Sequence, residues 1–241
     1  MKRVAIIAEG QTEAIFVREL LSRVIDPSEF SFSYIKLNAD RMERVREYSS
    51  PNPEIHFQII NVQNDERVLS VIKDMETGLV ESGLFGKILG IRDMYSQEYD
   101  DLSNGAINDH ITTKIMEKQN DIIQTMTYRN IIKLYYCIME IEAWFLSMYN
   151  VFPKLDPKLT VEYIEENLGF NLKRIDPQKE FFKPSRQLNE IFELCQWKYR
   201  KSEDNIEKFV SRIEVTDIDN AKENNRCSCS NDFYQGIKNP V

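Results

Sequence analysis

Acidic side chains follow three of the apolar runs that this sequence offers as β-strands. Glu9 comes directly after residues 3–8, Asp93 follows residues 85–91, and Glu140 and Glu142 follow residues 130–139. Because parallel strands bring their carboxyl ends to one edge of a sheet, these distant groups can converge there. Converging carboxylates repel one another unless a cation lies between them, and Mg²⁺ prefers such hard oxygen ligands. The pattern predicts a divalent-metal site; the alternative for each acid is a solvated loop residue or an anion at a helix start.

Hydrophobic periodicity predicts the elements that must position these acids. Apolar runs at 3–8, 55–62, 85–91 and 130–139 predict four buried strands, and helical stripes at 12–24, 66–81 and 107–125 lie between them. Thr12 suits the N-cap of the first helix. Alternating strands and helices predict an α/β fold with a mainly parallel four-stranded sheet flanked by helices. Residues 28–54 are expected to form a loop-rich insert with a short helix at 41–47.

The pattern changes after Trp144, where short helical stripes at 160–168, 185–194 and 205–213 are separated by prolines. We therefore expect an α/β domain at residues 1–150 and a helical extension packed on it at 151–215. The remaining residues, 216–241, are polar and predict a loosely ordered tail. Trp144 has the spacing of a core residue, whereas Trp197 and Tyr199, beside basic residues, are better candidates for base stacking.

Charge and composition narrow the classes of function. The 241 residues include 31 Lys and Arg against 39 Asp and Glu, a net charge of −8, which disfavours passive coating of nucleic acid. Between Lys173 and Arg212 the balance reverses to ten basic against seven acidic residues. Four residues there are candidate phosphate contacts, the alternative being the solvated face of short helices: Lys183, Arg186, Arg200 and Lys201. The chain has no apolar run long enough for a membrane span, so we expect a cytoplasmic protein.

Several kinds of chemistry lack their sequence signature. The chain has no G-x-S-x-G, no Walker A motif and no G-x-G-x-x-G, which disfavours acyl transfer, ATP hydrolysis and dinucleotide binding. Cys227 and Cys229 form C-x-C rather than the C-x2-C of a zinc knuckle, so ordinary free thiols are expected. His56 and His110 stand in no recognisable signature, and we assign them no role.

Four motifs in order resemble those of one protein group. E-G-Q-T-E at residues 9–13 resembles the opening E-G-x-T-E of Toprim-like proteins related to the nuclease domains of overcoming-lysogenization-defect proteins. D-M-Y at 93–95 is similar to the D-Y-Y variant of an uncharacterised bacterial branch of that group. M-E-I-E-A-W-F-L at 139–146 looks like its E-x-E-A motif, and F-K-P-S-R at 182–186 with Y-R-K at 199–201 looks like its P-S-x-R and Y-x-K elements.

The resemblance implies a Toprim fold that hydrolyses phosphodiester bonds with Mg²⁺ or Mn²⁺. Glu9 would then act as general acid or base and Asp93 would hold the metal, with Glu140 and Glu142 as further candidate ligands. An ordinary Toprim site has D-x-D, whereas this chain has Tyr95 at the second Asp position. A phenol is a poor Mg²⁺ ligand, so another acid completes the coordination sphere or metal binding is weak. The candidates for that acid are Glu140, Glu142, Asp100 and Asp101. Arg92, next to Asp93, is expected to contact substrate or to pair with an acid.

Three functions follow as hypotheses. The first is a Mg²⁺-dependent nuclease in a bacterial antiviral defence system, acting on nucleic acid beside an ATPase partner, as the resemblance implies. The second is a non-catalytic binding module for nucleic acid, a nucleotide or a partner protein. The third is a metabolic phosphotransfer or hydrolytic protein. The sequence leaves the choice between DNA and RNA open, and it allows a homo-oligomer.

Overall fold

The computed structural model describes residues 1–38, 41–63 and 67–239, and the chain forms two compact units. The first unit comprises Met1–Arg92, His110–Tyr136 and Gln235–Val241, and the second comprises Asp93–Asp109 and Cys137–Tyr234. The units therefore alternate along the chain, whereas the sequence prediction divides it at residue 150. The described residues contain six strands and twelve α-helices, which confirms the mixed α/β class.

The strands are β1 (Lys2–Ala8), β2 (Phe30–Asn38), β3 (Arg41–Ser49), β4 (Ile55–Asn61), β5 (Lys87–Asp93) and β6 (Ile132–Cys137). The first six helices are α1 (Gln11–Val24), α2 (Val68–Thr77), α3 (Gln97–Ser103), α4 (Asp109–Gln124), α5 (Glu142–Ser147) and α6 (Phe152–Leu155). The others are α7 (Val161–Leu168), α8 (Pro177–Glu180), α9 (Pro184–Glu193), α10 (Glu203–Val210), α11 (Val215–Glu223) and α12 (Ser228–Lys238). A π-helical turn at Gly78–Ser82 extends α2.

The sheet has the strand order β3-β2-β4-β1-β5-β6. β1 runs parallel to β4 on one side and to β5 on the other, with Ala8 level with Asn61 and Ile91. β2 runs parallel to β4, and β3 is antiparallel to β2. The four predicted strands are present as β1, β4, β5 and β6, but the sheet has six strands rather than four. The strand order switches sides at β1, which is where ligand sites form in open α/β sheets.

The two additional strands lie in the segment that the sequence presents as a loop-rich insert. The short helix expected at 41–47 is wrong, because Arg41–Ser49 is strand β3. Every side chain of β3 is exposed, so the strand carries no alternating apolar signal. Its Arg, Met and Glu residues favour a helix locally, but the backbone hydrogen bonds to β2 determine the conformation.

The core of the first unit lies between the sheet and the helices α2 and α4. Ala5, Ile7 and Ile60 of the sheet pack in one apolar cluster with Ile72 of α2. The apolar runs of the sequence are therefore buried strands, as predicted. Gly90 in β5 accommodates close packing, because a Cβ atom there would lie within about 3 Å of Ile72 and closer still to Leu134 of β6.

The second unit is built from short helices around aromatic side chains. Trp144 of α5 is fully buried and packs against Phe233, with ring centroids 5.8 Å apart, which confirms its predicted core role. The helices predicted at 160–168, 185–194 and 205–213 are present as α7, α9 and α10. The polar segment from 216 onward contributes to α11 and forms α12, and Phe233 and Tyr234 are buried. No helix in the described part of the chain is long and apolar enough to cross a membrane.

Candidate functional site

The E-G-Q-T-E segment forms the turn from β1 into α1. Gly10, not Thr12, is the N-cap of this helix, and Thr12 is buried inside it. A Cβ atom at Gly10 would lie 2.8 Å from Oε2 of Glu13, so glycine leaves space for that carboxylate. Glu13 lies in the first turn of α1, where the helix dipole favours an anion. Packing around the start of α1 therefore explains the glycine of the motif, and the helix dipole explains its second glutamate, Glu13.

Glu9 lies at the end of β1 and is buried, with 4 % of its surface exposed. Its backbone N–H donates to the Ile91 carbonyl oxygen at 3.1 Å, and its Oε2 lies 3.7 Å from Nε of Arg92. Both side chains of this ion pair are about equally buried. The alternative that Arg92 pairs with an acid is confirmed. Removal of either partner would leave an uncompensated buried charge, which is energetically costly. The ion pair therefore keeps the Glu9 carboxylate next to Arg92.

Tyr136 in β6 is the other perturbed group near this pair. Burial raises the pKa of Tyr136 to about 12, and the positive charge of Arg92 opposes that rise. The phenol therefore stays protonated at neutral pH and can donate a hydrogen bond.

In the second unit, three carboxylates lie where the segments 93–95 and 139–142 meet. Asp93 Oδ1 accepts a hydrogen bond of 3.0 Å from the backbone N–H of Ile141. The N–H of Tyr95 donates to the Met139 carbonyl oxygen at 2.8 Å. Met139 is left-handed, with φ at 64°, which turns the chain sharply before Glu140. Asp93 therefore has a structural role in holding the E-x-E segment.

Glu140 and Glu142 share one cation, and we call these two carboxylates with Lys201 the carboxylate centre. Lys201 Nζ lies 3.5 Å from Glu140 Oε1 and 3.2 Å from Glu142 Oε1. Glu142 is fully buried, and its Oε1 also accepts a 2.8 Å hydrogen bond from the hydroxyl of Tyr199. Glu140 Oε2 accepts a 2.9 Å bond from the backbone N–H of Ser185. The E-x-E-A, P-S-x-R and Y-x-K motifs are thus in direct contact.

Burial raises the pKa of the Glu142 carboxyl, and the neighbouring charge of Lys201 opposes that rise. Glu142 Oε2 is buried and has no hydrogen-bond partner among the described residues. The carboxylate centre therefore contains one acceptor oxygen that no donor in the described part of the chain uses.

Tyr95, at the position where a Toprim site has its second Asp, packs against the P-S-x-R region. Its ring lies 5.7 Å from the Phe182 ring in an edge-on arrangement, and Lys183 Nζ lies 5.6 Å from its centroid. Its hydroxyl donates to Asp100 Oδ2 at 3.4 Å, a long bond. Asp101 accepts a hydrogen bond from Gln97. Tyr95 is thus held by an aromatic and a cationic side chain.

These donors fit a bound divalent metal poorly. Within the described ranges, no group of three or more His, Cys, Asp or Glu side chains could hold a metal ion. Asp93 accepts from a backbone N–H, while Glu140 and Glu142 are both paired with the ammonium of Lys201. In the first unit, Glu9 is paired with Arg92. Each predicted ligand therefore already has a protein partner.

The two thiols at the C-terminal end have no reactive character. Cys227 is fully buried, its Sγ lies 3.3 Å from the Ala143 carbonyl oxygen, and burial raises its pKa well above the ordinary value. Burial likewise raises the pKa of Cys229 to about 11. Both remain protonated at neutral pH, and the reactive form of cysteine is the thiolate.

The four predicted phosphate contacts lie in different surroundings. Arg186 pairs with Glu190 at 3.0 Å, and Lys201 belongs to the carboxylate centre. Lys183 lies over the ring of Tyr95. Arg200 lines a surface cavity of about 420 Å³, which we call the basic cavity. Its lining residues are Trp197, Lys198, Arg200, Ser202, Asp204, Asn205 and Lys208.

The basic cavity has three cationic side chains and one acid. Trp197 stacks on the buried Phe192 ring with centroids 4.7 Å apart and planes 10° apart. Lys208 Nζ lies 4.2 Å from the Trp197 ring centroid. Asn205 joins the two sides of the loop, because its Oδ1 accepts from the N–H of Arg200 and its Nδ2 donates to the Lys198 carbonyl oxygen. Lys198 and Arg200 therefore lie on a loop that is held by the hydrogen bonds of Asn205.

Lys198 and Lys208 are cavity residues that the sequence prediction did not include. Residues 198–201 alternate, because Tyr199 and Lys201 contact Glu142 while Lys198 and Arg200 line the cavity; Trp197, directly before them, lines the cavity as well. This period of two was a usable signal for Lys198. Lys208 lies on α10, and only the folded chain brings it to the same cavity.

Comparison with known proteins finds no relative for this chain: no family model, curated protein or solved structure matches it. Its function is therefore inferred from its own side chains.

Proposed function

We propose that this chain is a nucleic-acid-binding module that contacts the phosphate backbone through the basic cavity. The observation that carries the proposal is the grouping of Lys198, Arg200 and Lys208 around one opening with a single acid, Asp204. The whole chain has a net charge of −8, so this local excess of positive charge departs from the average surface. A cluster of cations on an otherwise acidic protein directs a polyanion to one place.

The side chains of the cavity have separate roles in this proposal. Lys198, Arg200 and Lys208 contact phosphate oxygens, which position the strand without reading its sequence. Trp197 provides an apolar wall, held from behind by Phe192, on which a base can stack once Lys208 moves to a phosphate. The single carboxylate, Asp204, limits the number of phosphates bound closely. The chain is therefore expected to contact only a few nucleotides and to bind independently of the nucleotide sequence.

Fluorescence anisotropy with labelled single-stranded DNA, single-stranded RNA and duplex DNA tests the proposal. Three phosphate contacts predict a slope of about −2 for the logarithm of the association constant against that of salt concentration on single strands. The double variant Lys198→Glu with Arg200→Glu is expected to lower affinity by about tenfold or more, because attraction becomes repulsion.

The matched control is Lys179→Glu with Lys222→Glu, which makes the same charge change at two exposed positions outside the cavity. It is expected to bind nearly as the native chain does. An equal loss of affinity in both double variants would mean that only net charge matters, and the proposal would then be wrong. Unchanged binding by the cavity variant would contradict it as well.

Tryptophan emission provides a local measurement for the same proposal. The chain has two tryptophans, and Trp144 is fully buried in the core. Quenching by an unlabelled oligonucleotide is therefore expected to come from Trp197 and to disappear in Trp197→Phe. Quenching that persists in this variant would place the bound strand elsewhere.

Phosphodiester cleavage, implied by the Toprim resemblance, is the second candidate. The observation that favours it is that β1 runs directly into Glu9 and the neighbouring strand β5 ends at Asp93. Incubation of nucleic acids with the native chain and Mg²⁺ or Mn²⁺ tests this activity. Cleavage that Asp93→Asn and Glu9→Gln both abolish would support it, whereas cleavage that survives both would point to a contaminant.

Thermal melting must accompany these two variants, because both residues have structural partners. Asp93→Asn retains an oxygen that can accept from the N–H of Ile141, so its melting temperature should change little. Glu9→Gln leaves the buried Arg92 beside a neutral group and is expected to melt earlier. Loss of cleavage counts only at a temperature where each variant is folded. A role in bacterial defence with an ATPase partner stays a prediction.

A further inference from the structure

We infer that Lys201 is the resident cation of the carboxylate centre and takes the charge-balancing place that a divalent metal would have there. The inference concerns Glu140, Glu142 and Lys201 in the second unit and does not depend on nucleic-acid binding at the basic cavity. It implies that the native chain does not bind a divalent cation at these acids, and that removing the ammonium opens such a site.

The contacts of Lys201 carry the first step. A single ammonium lies 3.5 Å from one carboxylate and 3.2 Å from the other, so it bridges two acids that stand two residues apart in the chain. Glu142 is fully buried, and a buried carboxylate requires a compensating charge and hydrogen bonds. The Tyr199 hydroxyl supplies such a hydrogen bond from the same segment as Lys201. Residues 199–201 thus supply a positive charge to both carboxylates and a hydrogen bond to Glu142.

The unused oxygen of Glu142 carries the second step. Glu142 Oε2 is buried and has no hydrogen-bond partner among the described residues, although Oε1 has two partners. Without the ammonium, Glu140 and Glu142 would be two adjacent carboxylates with open acceptor positions. Mg²⁺ and Mn²⁺ bind to one or two carboxylates and complete their coordination with water. The centre therefore has the donors for a divalent ion only when Lys201 is absent.

Metal titration and thermal melting of three proteins test the inference: the native chain, Lys201→Met and the control Lys222→Met. Lys222 lies on α11, is exposed and lies outside both the carboxylate centre and the basic cavity. Calorimetry with Mn²⁺ is expected to detect no binding to the native chain or to Lys222→Met. Lys201→Met is expected to melt at a lower temperature in EDTA and to regain part of that loss with Mn²⁺, but not with NaCl of equal ionic strength.

Two results would overturn the inference. The first is Mn²⁺ binding by the native chain that Glu140→Gln abolishes, since the centre would then hold a metal beside Lys201. The second is a folded Lys201→Met protein whose melting temperature does not respond to Mn²⁺. If Lys201→Met does not fold, two other measurements test the inference. The first is the Mn²⁺ titration of the native chain and of Glu140→Gln. The second is the melting of Lys201→Arg, which keeps the positive charge: this variant is expected to fold and to melt at the same temperature with and without Mn²⁺, and a shift caused by Mn²⁺ would contradict the inference.

Discussion

The acids that follow β1 and β6 are each paired with a basic side chain of the same unit. Arg92 compensates Glu9 in the first unit, and Lys201 compensates Glu140 and Glu142 in the second. Breaking a buried pair by removing one partner typically costs about 3–5 kcal/mol. Glu9, Glu140 and Glu142 therefore contribute to the stability of the fold, and any chemical role for them must be compatible with these ion pairs.

His56 is a half-buried titratable group whose two ring nitrogens lie near serine hydroxyls. Its Nδ1 lies 2.9 Å from the Ser31 hydroxyl oxygen and its Nε2 lies 3.3 Å from that of Ser33. Burial lowers the pKa of His56 from its ordinary value of 6.5, and the positive charges of Arg3 and Arg44 act in the same direction. Glu47 opposes this shift.

We predict from this shift that the protein loses stability as the pH falls below about 6.5. The unfolded chain takes up a proton at His56 at a higher pH than the folded chain, so its contribution is complete above 6.5 and is lost as pH falls through the folded pKa. Urea unfolding from about pH 8 to about pH 5 should show a smaller decline for His56→Gln than for the native chain. A decline equal in the two proteins would contradict the prediction.

At the scale of elements, β3 is an edge strand that its own charges protect. Its nine side chains are all exposed, and no strand among the described residues neighbours its outer edge in the sheet order. Two copies pairing antiparallel about Val45 would put Arg44 opposite Arg46 of the second copy and Glu43 opposite Glu47 of the second copy. Like charges directly opposite each other destabilise a strand pair, and such charges guard natural edges.

Removing the positive charges of Arg44 and Arg46 is expected to let copies of the protein associate through β3. The double variant Arg44→Val with Arg46→Val should sediment as dimers or larger species at concentrations where the native chain does not, because β-branched residues pair well across strands. The matched control, Arg44→Lys with Arg46→Lys, retains both charges and should behave as the native chain. Association of the control, or none in the valine variant, would show that charge does not protect this edge.

At the scale of the whole molecule, the end of the chain returns to the first unit. Ile237 is fully buried, and Lys87 Nζ on β5 donates to the Asn239 carbonyl oxygen at 3.1 Å. A Cβ atom at Gly236 would collide with the side chain of Tyr135 on β6, so this part of α12 lies directly against the sheet. These contacts differ from those of a loosely ordered tail.

Shortening Ile237 tests whether the C-terminal residues belong to the fold. Ile237→Ala should lower the free energy of unfolding by about 2–5 kcal/mol, as expected for truncating a buried isoleucine. Asn239→Ala removes only an exposed side chain, since its hydrogen bond comes from the backbone, and should stay within about 0.5 kcal/mol of the native value. Urea denaturation gives both values. An effect of Ile237→Ala as small as that of the control would indicate that the tail contributes little to stability.

Local pattern was sufficient for a large part of the fold. The four apolar runs are β1, β4, β5 and β6, and the helical stripes correspond to α1, α2, α4, α7, α9 and α10. These elements bury one side or both, so the spacing of their apolar residues reports directly on their conformation. The acids after the strands could also be identified, because strand ends are visible as the end of an apolar run.

Long-range contacts decided the rest. β2 and β3 form through pairing across the sheet, and the exposed side chains of β3 carry no periodic trace of that pairing. The partners of the predicted site residues were equally hidden, because Lys201 reaches Glu140 and Lys208 reaches Trp197 only after the helices pack. Spacing along a chain specifies which side of an element a residue occupies, whereas the charge opposite it depends on how separate segments come together.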